Sequence, residues 1–181
     1  MKVTAGELPE VLVLEPRVFG DERGFFLESY NQRVFREAAR IDANFVQDNH
    51  SRSARNVLRG LHYQLKQPQG KLVRVVAGEA FDVAMDLRRS SPRFGRWMGL
   101  NLSAENKCML WIPAGFAHGF LALSDATEVL YKTTDYYAPE HERCVLWNDP
   151  DIGIVWPLRG EPLISAKDGR GIALKFAEVF P

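Results

Sequence analysis

Between Phe45 and Thr133 the chain is cut into short apolar runs, each closed by a turn signal, and no other feature of the sequence constrains the fold as much. The runs are Phe45–Ser51, Val57–Leu65, Lys71–Ala77, Phe81–Leu87, Arg96–Leu102, Cys108–Ile112, Phe120–Leu123 and Glu128–Thr133. Between them lie Gln67-Pro68-Gln69-Gly70, Gly78-Glu79, Ser90-Ser91-Pro92 and Ala104-Glu105-Asn106-Lys107. Runs this short read as strands, and Phe81-Asp82-Val83-Ala84-Met85-Asp86-Leu87 alternates with period two. Many short strands with few helices predict a mainly β fold, a jelly-roll β-sandwich or barrel with a few short helices.

Upstream, Val11–Leu14 predicts a strand closed by Glu15-Pro16, and Phe25–Tyr30 another. Phe19–Gly24, whose two glycines bracket charges, reads as a loop. Asn31 is placed to cap a short helix through Arg40, with Val34, Phe35, Ala38 and Ala39 as its apolar stripe. The tail beyond Asn148 is broken by Pro150, Gly153, Pro157, Gly160 and Pro162, and is expected to wrap the barrel before a last apolar segment, Ile172–Phe180. No repeat, low-complexity tract or linker divides the 181 residues, so one domain over 1–181 is expected.

Lys plus Arg and Asp plus Glu balance at 23 each, so nothing global points to nucleic acid or an anionic membrane, although a local basic pocket stays open. The segment Met1–Glu7 lacks the apolar centre of a signal peptide, and no apolar run reaches membrane-spanning length. Two cysteines, Cys108 and Cys144, make neither a disulfide framework nor a metal motif; reduced thiols in the cytoplasm are the expectation.

The chemistry concentrates at Arg59-Gly60-Leu61-His62-Tyr63-Gln64, which sets a cation and an imidazole in a strand-like run. Polar groups so placed are costly unless something polar or charged meets them. Lys71 opens the next run and would stand beside His62 if the two strands paired as a hairpin. An imidazole with two cations suits an anionic substrate and proton chemistry near neutral pH; a structural His with two surface cations is the plainer alternative. In Pro113-Ala114-Gly115-Phe116-Ala117-His118 a rigid turn returns the chain to the barrel mouth. This Pro-x-Gly-x-x-His pattern resembles the second of the two cupin motifs, and cupins are jelly rolls. His50, His62, His118 and His141 are the only histidines. One His per motif is too few for a tightly held metal without matching carboxylates, so a metal-free cupin is expected. On Thr127–Thr133, Tyr131 shares a face with Val129 and Thr133; inside a barrel it needs a polar partner or serves as an acid. Tyr136-Tyr137 set aromatics on a loop, for stacking or for simple packing.

Arg59-Gly60-Leu61-His62-Tyr63-Gln64, Gln69-Gly70-Lys71, Pro113-x-Gly-x-x-His118-Gly-Phe, Leu130-Tyr131-Lys132-Thr133 and Trp147-Asn148-Asp149-Pro150 occur in this order. With Gly24-Phe25-Phe26-x-Glu28 and Gln47-Asp48-Asn49, the set resembles the dTDP-4-dehydrorhamnose 3,5-epimerases of the rhamnose pathway, from about Pro16 to Asp168. The resemblance implies a cofactor-free, homodimeric cupin that inverts C3 and C5 of dTDP-4-keto-6-deoxyglucose, the carbons flanking the C4 ketone. It implies His62 as base, Asp168 as its partner, Tyr131 as acid on the opposite face and Lys71 near the C4 oxygen. It assigns nucleotide-sugar binding to Arg23, Glu28, Gln47, Asp48, Asn49, Arg59, His118, Glu142 and Lys167, and stacking on thymine to Tyr137. Three rivals remain: a relative that epimerises only C3 or C5 of another dTDP-ketosugar, a metal-dependent cupin enzyme, and a cupin that binds a nucleotide-sugar without turning it over.

Overall fold

The computed structural model describes residues 1–181. Its strands in chain order are β1 (Lys2–Ala5), β2 (Leu12–Glu15), β3 (Val18–Asp21), β4 (Gly24–Leu27), β5 (Gln47–Ser53), β6 (Leu58–Gln64) and β7 (Lys71–Ala77). They continue as β8 (Glu79–Asp86), β9 (Trp97–Ser103), β10 (Met109–Ile112), β11 (Phe116–Ala122), β12 (Thr127–Thr133) and β13 (Glu142–Cys144). One α-helix, α1 (Gln32–Ala39), and three single 3-10 turns are the only helical pieces. A six-stranded sheet in the order β1-β2-β10-β7-β12-β5 faces a five-stranded sheet in the order β13-β6-β11-β8-β9. Every pairing between these strands is antiparallel. This is the mainly β, cupin-type sandwich expected.

Period-two alternation builds the core between the sheets. Val73, Val75, Leu110, Ile112 and Val129 from one sheet meet Ala80, Ala84, Met98, Leu102, Phe116 and Phe120 from the other. A fully buried side chain of this size contributes roughly 1.5–3 kcal/mol of transfer free energy. The five-stranded sheet is covered on its outer face too: Leu58, Leu61, Val83, Met85, Leu87, Ala117 and Leu121 pack with Val145 and with tail residues Trp156 and Ala177. The tail does wrap the sandwich, and two-sided cover makes β11 buried along its whole length. Asp149, 2% exposed, anchors the tail by accepting from the Asp151 and Leu174 amides.

The helix forms where expected. Asn31 Oδ1 accepts from the Arg33 and Val34 amides at 3.0 and 3.2 Å, and Arg40 ends the helix in a left-handed conformation. Phe35 is driven into a cluster with Tyr30, Phe45 and Trp111 over the outer face of the six-stranded sheet.

Three expectations change. Phe19–Gly24 is not a loop: β3 and β4 form a hairpin, and Glu22-Arg23 is its turn, tied by the Arg23 amide donating to Asp21 Oδ1. Glycines bracketing charges marked the turn and the Phe25–Tyr30 strand anticipated β4, but β3 is too short to show a period. For the same reason β1 and β13 went unpredicted. Most consequentially, β6 and β7 do not pair as a hairpin, because they lie in opposite sheets. Lys71 therefore faces His62 across the sandwich rather than along a ladder.

Candidate active site

Two glycines let the histidine-bearing strands close up. β6 and β11 are neighbours, His62 opposite His118, with an irregularity in register just beyond His118. A Cβ on Gly60 would lie 2.5 Å from Gly119 Cα, and one on Gly119 would lie 2.7 Å from the Arg59 carbonyl. Without side chains there the strands approach closely enough to place two imidazoles side by side. Both line a cleft of about 330 Å³ at one end of the sandwich, with Gln47, Asn49, Arg59, Lys71, Tyr131, Tyr137, Glu142 and Lys167. Arg59 is exposed at the rim, its Nε donating to Ser53 Oγ at 3.0 Å, so the cation that the sequence set in an apolar run is solvated rather than buried.

Each histidine is held by a carboxylate. His62 Nε2 and Asp168 Oδ1 are 2.5 Å apart, and Asp168 Oδ2 also accepts from Ser165 Oγ at 2.8 Å. Burial works against the charge of Asp168, 3% exposed, but the bonds from His62 and Ser165 outweigh it and hold the carboxyl below its ordinary range. An ionised Asp168 keeps the ring proton on Nε2, which leaves the Nδ1 lone pair free to accept a proton. His118 Nε2 sits 3.0 Å from both oxygens of Asp82, a residue with no exposed surface. Sequence reasoning missed Asp82, although an acid on the inward face of the alternating β8 run was the available signal.

Lys71 is 8% exposed and its Nζ lies 3.4 Å from the His62 carbonyl. Burial lowers its pKa to about 8, opposed by the negative charges of Asp82 and Glu142. Tyr131 reaches the cleft from β12. Burial, helped by the Glu142 charge, pushes its phenol above the ordinary value, so it holds its proton through neutral pH. Glu142 is the hub of the far wall: it pairs with Lys167 at 2.5 Å and accepts from the Tyr137 hydroxyl at 2.8 Å. Those bonds overcome the cost of burial and hold the carboxyl below its ordinary range.

Glutamines fix the loop that carries exposed Tyr136 and Tyr137. Gln64 donates to the Gln67 and Tyr136 carbonyls and accepts from the Ala138 amide, Gln47 accepts from the Tyr137 amide, and Gln69 donates to the Asp135 carbonyl. Of these, Gln64 and Gln69 lie in motifs quoted from the sequence but were given no role there. Three expected binding residues lie elsewhere in the chain. Asp48 sits between Gln47 and Asn49 on β5, so alternation turns it to the opposite face, where it pairs with Lys132 at 2.8 Å. Arg23 and Glu28 belong to the projecting hairpin and its exit; Arg23 pairs with Asp21, and Glu28 accepts from Asn31 Nδ2.

Comparison with known proteins agrees along the whole chain. The family model described as dTDP-4-dehydrorhamnose 3,5-epimerase matches residues 5–175. A dTDP-4-dehydrorhamnose 3,5-epimerase of Pseudomonas aeruginosa is 65% identical over 181 residues, covering 100% of each chain. Among solved structures, a dTDP-6-deoxy-D-glucose-3,5-epimerase of Legionella pneumophila in complex with dTDP-4-keto-L-rhamnose superposes with a TM-score of 0.96 at 49% identity, covering 98% of this chain and 94% of that one. A 3'-monoepimerase of Streptomyces bikiniensis in complex with dTDP-quinovose superposes with a TM-score of 0.90 at 35% identity, covering 97% and 88%.

Proposed function

The chain belongs to the dTDP-4-dehydrorhamnose 3,5-epimerase family, and from that premise we propose how its residues divide the reaction. The enzyme inverts C3 and C5 of dTDP-4-keto-6-deoxy-D-glucose to give dTDP-4-keto-L-rhamnose, an isomerisation in rhamnose biosynthesis. The observation that supports the division of labour is the His62–Asp168 dyad set in one cleft with buried Lys71 and a protonated Tyr131.

His62 Nδ1 removes the proton beside the C4 ketone, and Asp168 stabilises the imidazolium that forms. The pair of electrons left on carbon flows to the C4 oxygen, and the Lys71 ammonium stabilises that developing oxyanion. Tyr131 returns a proton from the opposite face, which is what inverts the centre. Arg59, His118, Lys167, Gln47, Asn49 and Glu142 hold the nucleotide-sugar, cations meeting the diphosphate, and Tyr137 stacks on thymine. No step calls for a metal or an organic cofactor. The reading sets the reaction in the cytoplasm, in keeping with two unpaired thiols; no helix is long and apolar enough to cross a membrane.

The test is incubation with dTDP-4-keto-6-deoxyglucose in heavy water, with the product trapped by a downstream reductase. Deuterium at both C3 and C5 supports the reading. Label at one carbon would replace it with the single-carbon reading, which the fold shared with a 3'-monoepimerase keeps in view. No label from a folded protein that binds dTDP would sink both.

Lys71 sets a pH limit. Its folded pKa, about 8, lies below the ordinary 10.5, so burial opposes the charged form. The unfolded chain then binds more protons between those values, and the ligand-free protein gains stability as pH rises through that window. Activity moves the other way, because the ammonium is lost. We expect kcat/KM to fall as pH passes about 8, with the limb shifted to higher pH in Lys71→Arg. An alkaline limb unmoved in that variant would assign it to another group.

A homodimer fits the projecting hairpin. Val18, Phe19, Phe25 and Phe26 are 42–69% exposed on β3 and β4, which pair only with each other. An isolated two-stranded hairpin is marginal in water, and apolar strands left bare call for a partner surface. A second copy supplies it, and would bring Arg23 and Glu28 to the neighbouring cleft. The double variant Phe25→Asp/Phe26→Asp is expected to sediment as a folded monomer with raised KM. A dimer that survives the substitution would place the interface elsewhere.

A further inference from the structure

Behind the imidazole of His62 lies a third group that the epimerisation does not use. Cys144 on β13 pairs in register with His62 on β6, so the thiol and the ring share a face of the sheet. Asp168 enters the same corner from the 3-10 turn Asp168–Arg170. One donor atom from each of His62, Cys144 and Asp168 lies within 4.8 Å of the others. The corner is open to the cleft, since the His62 side chain is 26% exposed.

We propose that these three side chains form an inhibitory site for a thiophilic divalent cation of the zinc type. This assignment rests on the reading of His62 as the base. The donor set of imidazole, thiolate and carboxylate is one that zinc accepts, with bonds of about 2.0–2.3 Å, and water fills the fourth position. A tetrahedral ion holds its donors about 3.5 Å apart, so His62 Nε2 and Asp168 Oδ1, 2.5 Å apart without it, must part by about an ångström to admit the ion. Ser165 Oγ already donates to the second oxygen of Asp168, a hydrogen bond that orients the carboxylate.

The consequence for catalysis follows from proton bookkeeping. In the free enzyme the ring proton is on Nε2 and Nδ1 accepts. A cation bound by Nε2, Asp168 Oδ1 and Cys144 Sγ displaces the Nε2 proton, and the neutral ring then carries its proton on Nδ1. The thiol proton goes to solvent, because a coordinated thiol is deprotonated outright. Three metal–ligand bonds form, one proton is released, and the nitrogen facing the substrate has no lone pair left. The metal switches the base off, where a metal-dependent cupin would need one to work.

The experiment titrates the metal-free full-length protein with Co2+ and with Zn2+, alongside Cys144→Ser and Cys144→Ala. Two variants are used so that a packing defect in either is recognised. Wild type is expected to bind one equivalent of Co2+ with a thiolate-to-cobalt charge-transfer band, which both variants lack. Zn2+ should stop isotope exchange in wild type, a chelator should restore it, and the variants should need at least ~10-fold more zinc. The charge-transfer band needs no turnover, so its absence refutes the site even if the sugar chemistry were misassigned. Equal zinc sensitivity in wild type and both variants would overturn it as well. Loss of exchange in the metal-free wild type would instead count against the epimerase reading.

Discussion

Replacing His62 by alanine is expected to remove deuterium uptake at C3 and C5 together, while dTDP affinity stays close to wild type and the protein stays folded with some loss of stability, because buried Asp168 loses a partner. The imidazole side chain is 26% exposed and lines the cleft, so truncation widens the cleft rather than opening a sealed core cavity. What disappears is the proton acceptor. General base catalysis is worth about 10²–10⁴-fold, or about 3–5 kcal/mol of transition-state stabilisation. Asp168→Asn should lose activity on a similar scale for a different reason. An amide adds no charge to stabilise the imidazolium, and it can present its NH2 to Nε2, which would drive the ring proton to Nδ1 and blunt the base. Asp168 is 3% exposed and also bonded to Ser165, so this variant too should lose some stability. The two defects should not add, because they disable one proton acceptor; a double variant much worse than either would show that Asp168 acts independently. Undiminished label in His62→Ala would remove the base from the mechanism.

Much of this site was legible because its residues break local rules. His62 and Arg59 interrupt an apolar strand, Lys71 heads a strand whose inward face is Val73 and Val75, and Tyr131 stands between Val129 and Thr133. His62, Lys71 and Tyr131 are polar groups where period-two packing calls for an apolar one, while Arg59 proves to be exposed at the rim, and such violations mark function. The helix was equally readable from Asn31 and the stripe ending at Ala39. What could not be read was anything set by pairing between distant strands. Lys71 meets His62 because β6 and β7 fall in opposite sheets, and their short separation in sequence suggested a hairpin instead. Asp82 finds His118, and Cys144 finds His62, only through the order β13-β6-β11-β8. Asp48 shows the converse limit. Its place in Gln47-Asp48-Asn49 suggested a shared role, but the pleat turns alternate residues to opposite faces, and within the chain it pairs with Lys132. In the hairpin β3–β4 the Phe25–Tyr30 reading caught β4 but β3 was taken into the loop, because a four-residue strand offers two inward positions at most.

Tyr131→Phe should separate exchange from inversion. If His62 removes the proton and Tyr131 delivers the one that inverts, losing the phenol hydroxyl leaves the first half-reaction intact. The enolate still forms, still gains stabilisation from Lys71, and can be reprotonated only from the face it left. His62 is open enough to the cleft to trade its proton with solvent. The variant should therefore place deuterium in the starting sugar, with configuration retained, while the yield of trapped epimer falls about 10²–10⁴-fold. Phenylalanine keeps the ring that packs against the inter-sheet core, so folding stability should barely change. Burial raises the Tyr131 phenol above its ordinary value, so the proton that the hydroxyl would deliver is in place near neutral pH. Loss of both exchange and epimerisation in Tyr131→Phe would mean that the hydroxyl is needed to form the enolate, and would move it from acid on the far face to partner of Lys71 at the C4 oxygen.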